Sequence, residues 1–218
     1  MRVKADLHMH SFISDGKASP EELVHRALEV GLQVISVTDH DSFQGSVRAR
    51  RYAEDKGLDL LVIIGNEVRT VKGDVLVLCD HPIDPPVQVG ELVDKAHAEG
   101  CIAVPAHPFD LMRQGIGKEV YNHKFDAIEV FNASADPITN RRARQVAAEL
   151  GLPQLANTDA HIPEYLGTAY TLVEVQSLSV DDFLEAVRRG RVHPVYGKPD
   201  LQTRLRRYWW SIERRIFR

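Results

Sequence analysis

Short apolar runs alternate with amphipathic stretches along the chain, and each change of period marks an element. Val3 to Leu7 reads as a strand. Ser19-Pro20-Glu21-Glu22 opens a helix: Ser19 offers the N-cap acceptor, Pro20 suits the first helical position, and Glu22 stands where a capping box needs it. Gly31 ends that helix. Further strands are predicted at Val34 to Thr38, Leu60 to Ile64, Val75 to Leu78, Ile102 to Pro105, Ala127 to Phe131, Leu155 to Asn157 and Ala169 to Val175. Helices are predicted over Phe43 to Lys56, Val89 to Glu99, Ile138 to Leu150 and Val180 to Arg189, each followed by glycine.

This β-then-α rhythm argues for parallel strands covered by helices, without separating a barrel from an open sheet. One link breaks the rhythm. Only Thr70-Val71-Lys72-Gly73 precedes Asp74 and its strand, too few residues for a parallel crossover. An antiparallel hairpin there returns Asp74 to the end of the fold that carries Glu67.

Composition narrows the class. The chain has 218 residues, 44% hydrophobic and 27% charged, as expected of one globular domain. Apolar runs such as Leu58 to Gly65 are too short to span a membrane, and the N-terminus lacks the apolar stretch of a signal peptide. Cys79 and Cys101 fit two small core residues in a reducing cytoplasm better than a disulfide scaffold, so a cytoplasmic location is expected. The net charge of −4 is uneven. Residues 201–218 hold six Arg against one Glu, a net of +5, which leaves −9 on the first 200. An acidic body does not point to long nucleic acid as its main partner, although bound cations reverse the local sign.

Histidines and carboxylates recur after the strands. His8 and His10 are two apart at the first strand's end, so both face one side, and Asp6 shares that side as a candidate for orienting a ligand. Asp15 follows beside Gly16. His40 lies in Thr38-Asp39-His40-Asp41, Glu67 in Gly65-Asn66-Glu67, His107 in Ala106-His107-Pro108, and Asp159 and His161 repeat the two-residue spacing. Any one of these serves equally well as a hydrogen-bonded core residue or a solvated loop residue. The shared placement of five His and four carboxylates after strand-like runs is the signal. Such a set suits Mn, Zn or Fe. Nine ligands exceed what one ion needs, so two or three divalent ions are expected. Three dications against four carboxylates leave a positive remainder able to hold hydroxide and attract a phosphate ester.

At these residues the chain resembles the PHP family, the polymerase and histidinol phosphatase domain. The matching pieces are Asp6-Leu7-His8-Met9-His10, Asp15-Gly16, Thr38-Asp39-His40-Asp41, Gly65-Asn66-Glu67, Ala106-His107-Pro108 and Thr158-Asp159-Ala160-His161. The resemblance implies an α/β fold, a distorted TIM-like (β/α)7 barrel, here mostly parallel with one antiparallel hairpin, over residues 1–200. It also implies a trinuclear site. One ion falls to His8, His10, Glu67 and Asp159. Glu67 bridges to a second held by Asp74 and His107, and Asp15, His40 and His161 take the third. Asp74 departs from the pattern, since many relatives carry His there; a carboxylate hardens that position toward Mn or Fe over Zn. The implied chemistry is direct hydrolysis of a phosphate ester by a hydroxide held between ions, with Glu67, Asp159 and His161 at its centre.

Arg113 and Arg141 are candidates to grip phosphate, and Asn132 is a weaker candidate at the same rim. His25, His81, His97, His123 and His193 stand outside the matched pieces and are assigned ordinary hydrogen bonding. In the basic segment 201–218, Leu205, Tyr208, Trp209, Ile212 and Ile216 follow helical spacing, which predicts a final helix packed on the barrel through that stripe. A contact with a partner, a membrane surface or nucleic acid is the alternative. Three functions stay open: a phosphatase acting on a small monoester such as a nucleotide or histidinol phosphate, a nuclease trimming nucleic-acid ends, and a metal-stabilised binding domain without activity.

Overall fold

The apolar run after Met1 forms β1 (Arg2–Asp6), the middle strand of the widest sheet in the computed structural model, which describes residues 1–217 and side chains to residue 214. β2 (Val34–Ile35) and β3 (Leu61–Val62) continue that sheet in parallel, while β9 (Tyr170–Glu174) and β10 (Val192–Val195) add antiparallel neighbours on its other side. β4 (Ile64–Thr70), β5 (Gly73–Cys79) and β6 (Ile102–Pro105) form an antiparallel meander. β7 (Ile128–Asn132) and β8 (Gln154–Asn157) pair in parallel.

The expected closed, mostly parallel barrel is therefore corrected. The strands make three sheets, with isolated bridges outside them at Met9–Ala160 and His40–Glu67. The expected hairpin is present as β4–β5, with Arg69 opposite Asp74, but it is one of four antiparallel pairings. The causes lie in the links. Residues 158–169 carry only the short 3-10 turn Pro163–Tyr165, with no crossover helix, so β9 runs back beside β1. β10, absent from the predicted strands, then runs toward the end of the fold where β1 delivers His8 and His10.

The helices are α1 (Pro20–Glu29), α2 (Gln44–Asp55), α3 (Val89–Ala98), α4 (Pro137–Leu150), α5 (Val180–Arg188) and α6 (Leu201–Phe217). The predicted capping box of α1 is formed: Ser19 Oγ accepts from Glu22 N at 3.1 Å, and Glu22 Oε2 accepts from Ser19 N at 2.7 Å. Asp136 caps α4, accepting from Ile138 N and Thr139 N, and Gly151 closes it in a left-handed conformation. α5 joins two strand ends remote from the histidines and seals that base. Its Phe183 is fully buried among Val3, Leu7, Leu76 and Ile102.

Cys79 and Cys101 are joined in a disulfide. This corrects the expectation of two separate thiols. The antiparallel register of β5 and β6 pairs Leu78 with Ile102, which sets residues 79 and 101 opposite one another. With the thiols paired, cysteine usage no longer argues for a reducing compartment. Among the described residues no helix is long and apolar enough to cross a membrane.

The orientation of α6 also differs from the predicted one. Trp210 packs on the core beside Tyr165 and Leu166, whereas Leu205, Tyr208 and Trp209 are 50%, 60% and 61% exposed. Leu205, Tyr208 and Trp209 of the apolar stripe face outward, Ile212 is half-buried, and Arg207 and Arg214 line the cleft beside Trp210. Ile216, Arg215 and Arg218 of the basic segment lie outside the described side chains. Because Phe183 is the largest of the α5 side chains buried in the base, beside Leu184, Ala186 and Val187, Phe183→Ala is expected to lower unfolding free energy by about 3–5 kcal/mol in urea denaturation. A loss below about 1 kcal/mol would show that α5 does not close the core.

Candidate metal centre

Strand alternation builds the centre. β1 runs out through Leu7, which is buried in the core, and the next alternate positions, His8 and His10, turn to the other side. Both imidazoles are buried. His8 Nε2 lies 3.3 Å from Glu67 Oε2 and 3.6 Å from Asp159 Oδ1. His10 Nε2 lies 3.1 and 3.3 Å from the same two oxygens. The β4–β5 hairpin brings Asp74 back beside Glu67, as its short link predicts. His107 Nε2 reaches Glu67 Oε1 at 3.1 Å, and His40 Nδ1 reaches Glu67 Oε2 at 3.2 Å. On the outer side His161 Nε2 lies 3.2 Å from Asp15 Oδ1, and His40 Nε2 lies 3.8 Å from it.

All nine candidate ligands are thus brought together. Their donor atoms fall into groups lying within 4.8 Å of one another: His10, Asp15, His40 and His161; His8, His10 and Asp159; His8, Glu67 and His107; and His40, Glu67 and Asp74. Seven of the nine carry a buried polar atom with no hydrogen-bond partner among the described residues, including His8 Nε2, His10 Nε2, Asp15 Oδ1, Glu67 Oε2 and Asp74 Oδ1. Several of these atoms are near one another yet misaligned for hydrogen bonding. Leaving such groups buried and unmet costs about 1–3 kcal/mol each, more when charged. Imidazole nitrogens and carboxylate oxygens converging in this way fit divalent cations.

The electrostatics agree. Burial disfavours the His10 imidazolium, but the carboxylates of Asp159 and Glu67 close beside it override burial and raise its pKa to about 10. His8 and His107 are likewise raised against burial by neighbouring carboxylates. Burial lowers His40 to about 4, leaving a neutral ring. Burial, and then the charge of Glu67, push Asp74 up to about 7. The cluster attracts positive charge, and dications can replace its protons.

The supporting residues are more specific than the sequence suggested. Glu129, buried on β7 and unassigned from sequence, accepts from His107 N at 2.7 Å and Asn157 Nδ2 at 2.9 Å, and faces His8 Nδ1 at 3.0 Å. It fixes the His8 ring with Nε2 toward the cluster. The available signal was a glutamate inside the apolar run Ala127 to Phe131. Asp6 holds the loop of Asp159 instead of a ligand ring, accepting from Thr158 N and Oγ1 at 3.1 and 2.5 Å. Asp39 gathers Ser11 and Ser14 and so shapes the loop of Asp15. In that loop Gly16 lies against the backbone of His10, where a Cβ would overlap its carbonyl. His107 and Asp159 both take positive φ, at 30° and 50°, backbone settings that side chains seldom adopt outside functional sites.

Of the phosphate candidates, Arg113 lies at the cleft, with Nη1 2.6 Å from Asp159 Oδ2 and Nη2 donating to Ser134 O. Asn132 is buried behind Asp159, 3.3 Å from its Oδ2. Arg141 is exposed on α4 and does not line the cleft, because the capped first turn of α4 points it to solvent. The five set-aside histidines have partners elsewhere: Tyr52, Glu99, Asp126, Glu119 and Glu174. A cleft of about 450 Å³ opens over the ligands, walled by Arg69, Arg113, Arg207, Trp210 and Arg214. Arg207 and Arg214 belong to the basic segment. Arg214 Nη1 lies 2.5 Å from Asp15 Oδ2.

The sequence profile of the PHP domain matches residues 6–138, and that of the PHP-associated region matches residues 137–192. The chain belongs to the PHP family. This PHP chain is 29% identical over 168 residues to an uncharacterised protein of Methanocaldococcus jannaschii, covering 71% of the chain and 96% of that protein. It is 46% identical over 70 residues to a 5'-3' exoribonuclease of Haemophilus influenzae, covering 32% of the chain and 25% of the enzyme. Its fold is shared with a two-domain Bacteroides vulgatus protein containing a predicted PHP-like metal-dependent phosphoesterase, at a TM-score of 0.75 and 22% identity over 90% of the chain and 65% of that protein.

Two outcomes are expected. Glu129→Gln lowers metal affinity about 10–100-fold in dialysis with elemental analysis; unchanged affinity would remove Glu129 from the support of His8. Because His8, His10 and His107 are raised, metal binding releases protons and tightens as pH rises. Calorimetry in buffers of different ionisation enthalpy measures that release, and zero release near pH 7 would contradict protonated imidazoles in the metal-free cluster.

Proposed function

We propose that the protein hydrolyses a phosphate ester carried at the end of its substrate, using two or three divalent cations. The supporting observation is the convergence of unpartnered ligand atoms on the floor of an arginine-walled cleft. His8, His10, Glu67 and Asp159 would hold one cation, Glu67, Asp74 and His107 a second, and Asp15, His40 and His161 the third. Such cations supply Lewis acidity to phosphoryl oxygens and make water a competent nucleophile near neutral pH. Mn or Fe suits the carboxylate-rich position at Asp74 better than Zn.

The chain's own groups do the positioning. Glu129 and Asp39 hold the His8 ring and the Asp15 loop, so that the ligands are set before substrate arrives. Arg113 lines the cleft with its nitrogens facing Asp110, Asn132, Asp159 and Ser134, and a phosphoryl oxygen would share or displace one of these contacts. Trp210 and the inward face of α6 limit water above the floor and narrow the opening, which favours a terminal phosphate over the middle of a duplex.

A small monoester is the first substrate reading. The nuclease reading gains from one observation: α6 lays arginines along the cleft of a body that is otherwise acidic. Similarity to an exoribonuclease over 32% of the chain points the same way. A purely binding role gains no comparable support. Mn-loaded protein is expected to release phosphate or nucleotide from a panel of monoesters and short oligonucleotides. His10→Ala and Asp159→Asn are expected to lower turnover at least about 100-fold, since they remove cation ligands. Loaded protein that leaves the whole panel intact would defeat the proposal.

A further inference from the structure

The cleft over the ligands continues. A second hollow of about 380 Å³ lies between α6 and the loop residues Ala133, Ser134, Ala135 and Tyr165, and the two share Arg207 and Ser211. Lys198, Arg204, Tyr165 and Tyr208 line this second hollow. No candidate metal ligand lies in it, and a small monoester seated over the metal floor does not need it.

The charges are ordered along the helix. Arg204, Arg207, Ser211 and Arg214 follow the three- and four-residue spacing of one helical face, a row about 15 Å long at 1.5 Å per residue. That length exceeds one nucleotide at roughly 3.4 Å of axial rise per stacked nucleotide. Arg207 Nε and Trp210 Nε1 are buried donors without a hydrogen-bond partner among the described residues, and both residues line the first cleft. The Arg207 guanidinium lies over the Tyr165 ring, 5.6 Å from its centroid, which holds it between the hollows. Tyr208, 60% exposed at the second hollow, offers an aromatic face. A basic track interleaved with aromatic faces is the combination that binds single-stranded nucleic acid, with cations following the backbone and rings receiving bases. The Arg214–Asp15 contact spans one side of the first cleft, and the second hollow adjoins that cleft at Arg207 and Ser211.

Resting on the phosphoesterase reading above, we propose that the second hollow is a nucleotide subsite and that the substrate is the end of a single-stranded nucleic acid. The terminal phosphate lies over the metal floor. The next phosphate contacts Arg207, Arg204 and Lys198, and a base rests on Tyr208.

The test uses the full chain loaded with Mn and thymidine oligonucleotides of one to four residues with hydrolysis-resistant phosphorothioate linkages, followed by fluorescence anisotropy. Affinity is expected to rise about tenfold or more from one residue to four. In the Lys198→Ala/Arg204→Ala variant the ratio of four-residue to one-residue affinity is expected to fall to within about twofold. The salt slope is expected to fall by roughly 0.7 for each phosphate that is no longer neutralised. Arg204→Lys on its own is expected to keep most of the ratio, which a merely structural role for Arg204 would not require. Affinity independent of length, or an equal loss of both affinities in the double variant, overturns the subsite. Phosphate release from p-nitrophenyl phosphate is measured on the same preparations. Turnover with flat length dependence sinks the subsite and leaves the phosphoesterase reading standing. Length-dependent binding without turnover of any ester does the reverse.

Discussion

Too much negative charge and too many lone pairs meet in too little water at one end of this fold. Glu67 and Asp159 are buried and sit within 3.6 Å of both His8 and His10, with Asp74 and Asp15 close behind. Isolated ionised groups in such surroundings cost many kcal/mol, so they persist only when paired or when they bind cations. Within the protein the compensation is partial. Protons on His8, His10 and His107 and two arginine contacts cover some of the charge, while seven ligand residues still present an unmet atom. The rest of the molecule serves to hold this arrangement. Glu129 and Asp6 commit buried carboxylates to orienting a ring and a loop, and His107 and Asp159 keep backbone angles that favour glycine. Such local costs are tolerated where the surrounding packing over-determines them.

Topology explains why the base and the site are so different. Strands leaving the core deliver ligands at one end, and α5 closes the other with Phe183. The reversal of β9 and the return of β10 are irregular for a βα repeat, but together they carry the chain from the sealed base back to the site. Without β10, α6 would start at the wrong end. The basic segment is positioned by four residues of strand whose only sequence mark is Val192-His193-Pro194-Val195.

That is also where the sequence stops being informative. Eight of the nine candidate ligands were legible because they lie at or soon after the ends of apolar runs, and two pairs show the two-residue spacing of a strand. The Asp74 return was legible from link length alone. Closure of the sheets was not, because pairing direction depends on where a link lands, and residues 80–101 and 158–169 do not state that. The pairing of Cys79 with Cys101 was hidden for the same reason, since it follows from an antiparallel register with no local signal. Glu129 was hidden by the strand it sits in, where a lone acid looks like an interruption.

α6 departs from its pattern by a different mechanism, and the departure is informative. Hydrophobic patterning assumes that water is the competitor, so the apolar face turns inward. Here the competitor is an acidic cleft. Arg214 pairs with Asp15 at the cleft, and a guanidinium loses less on dehydration than an ammonium does. Trp210 packs on the core, while Leu205, Tyr208 and Trp209 are left outside. An amphipathic helix beside a charged site is thus oriented by the site as much as by the core. The sequence clue was the contrast between a +5 tail and a −9 body, which patterning by itself does not weigh.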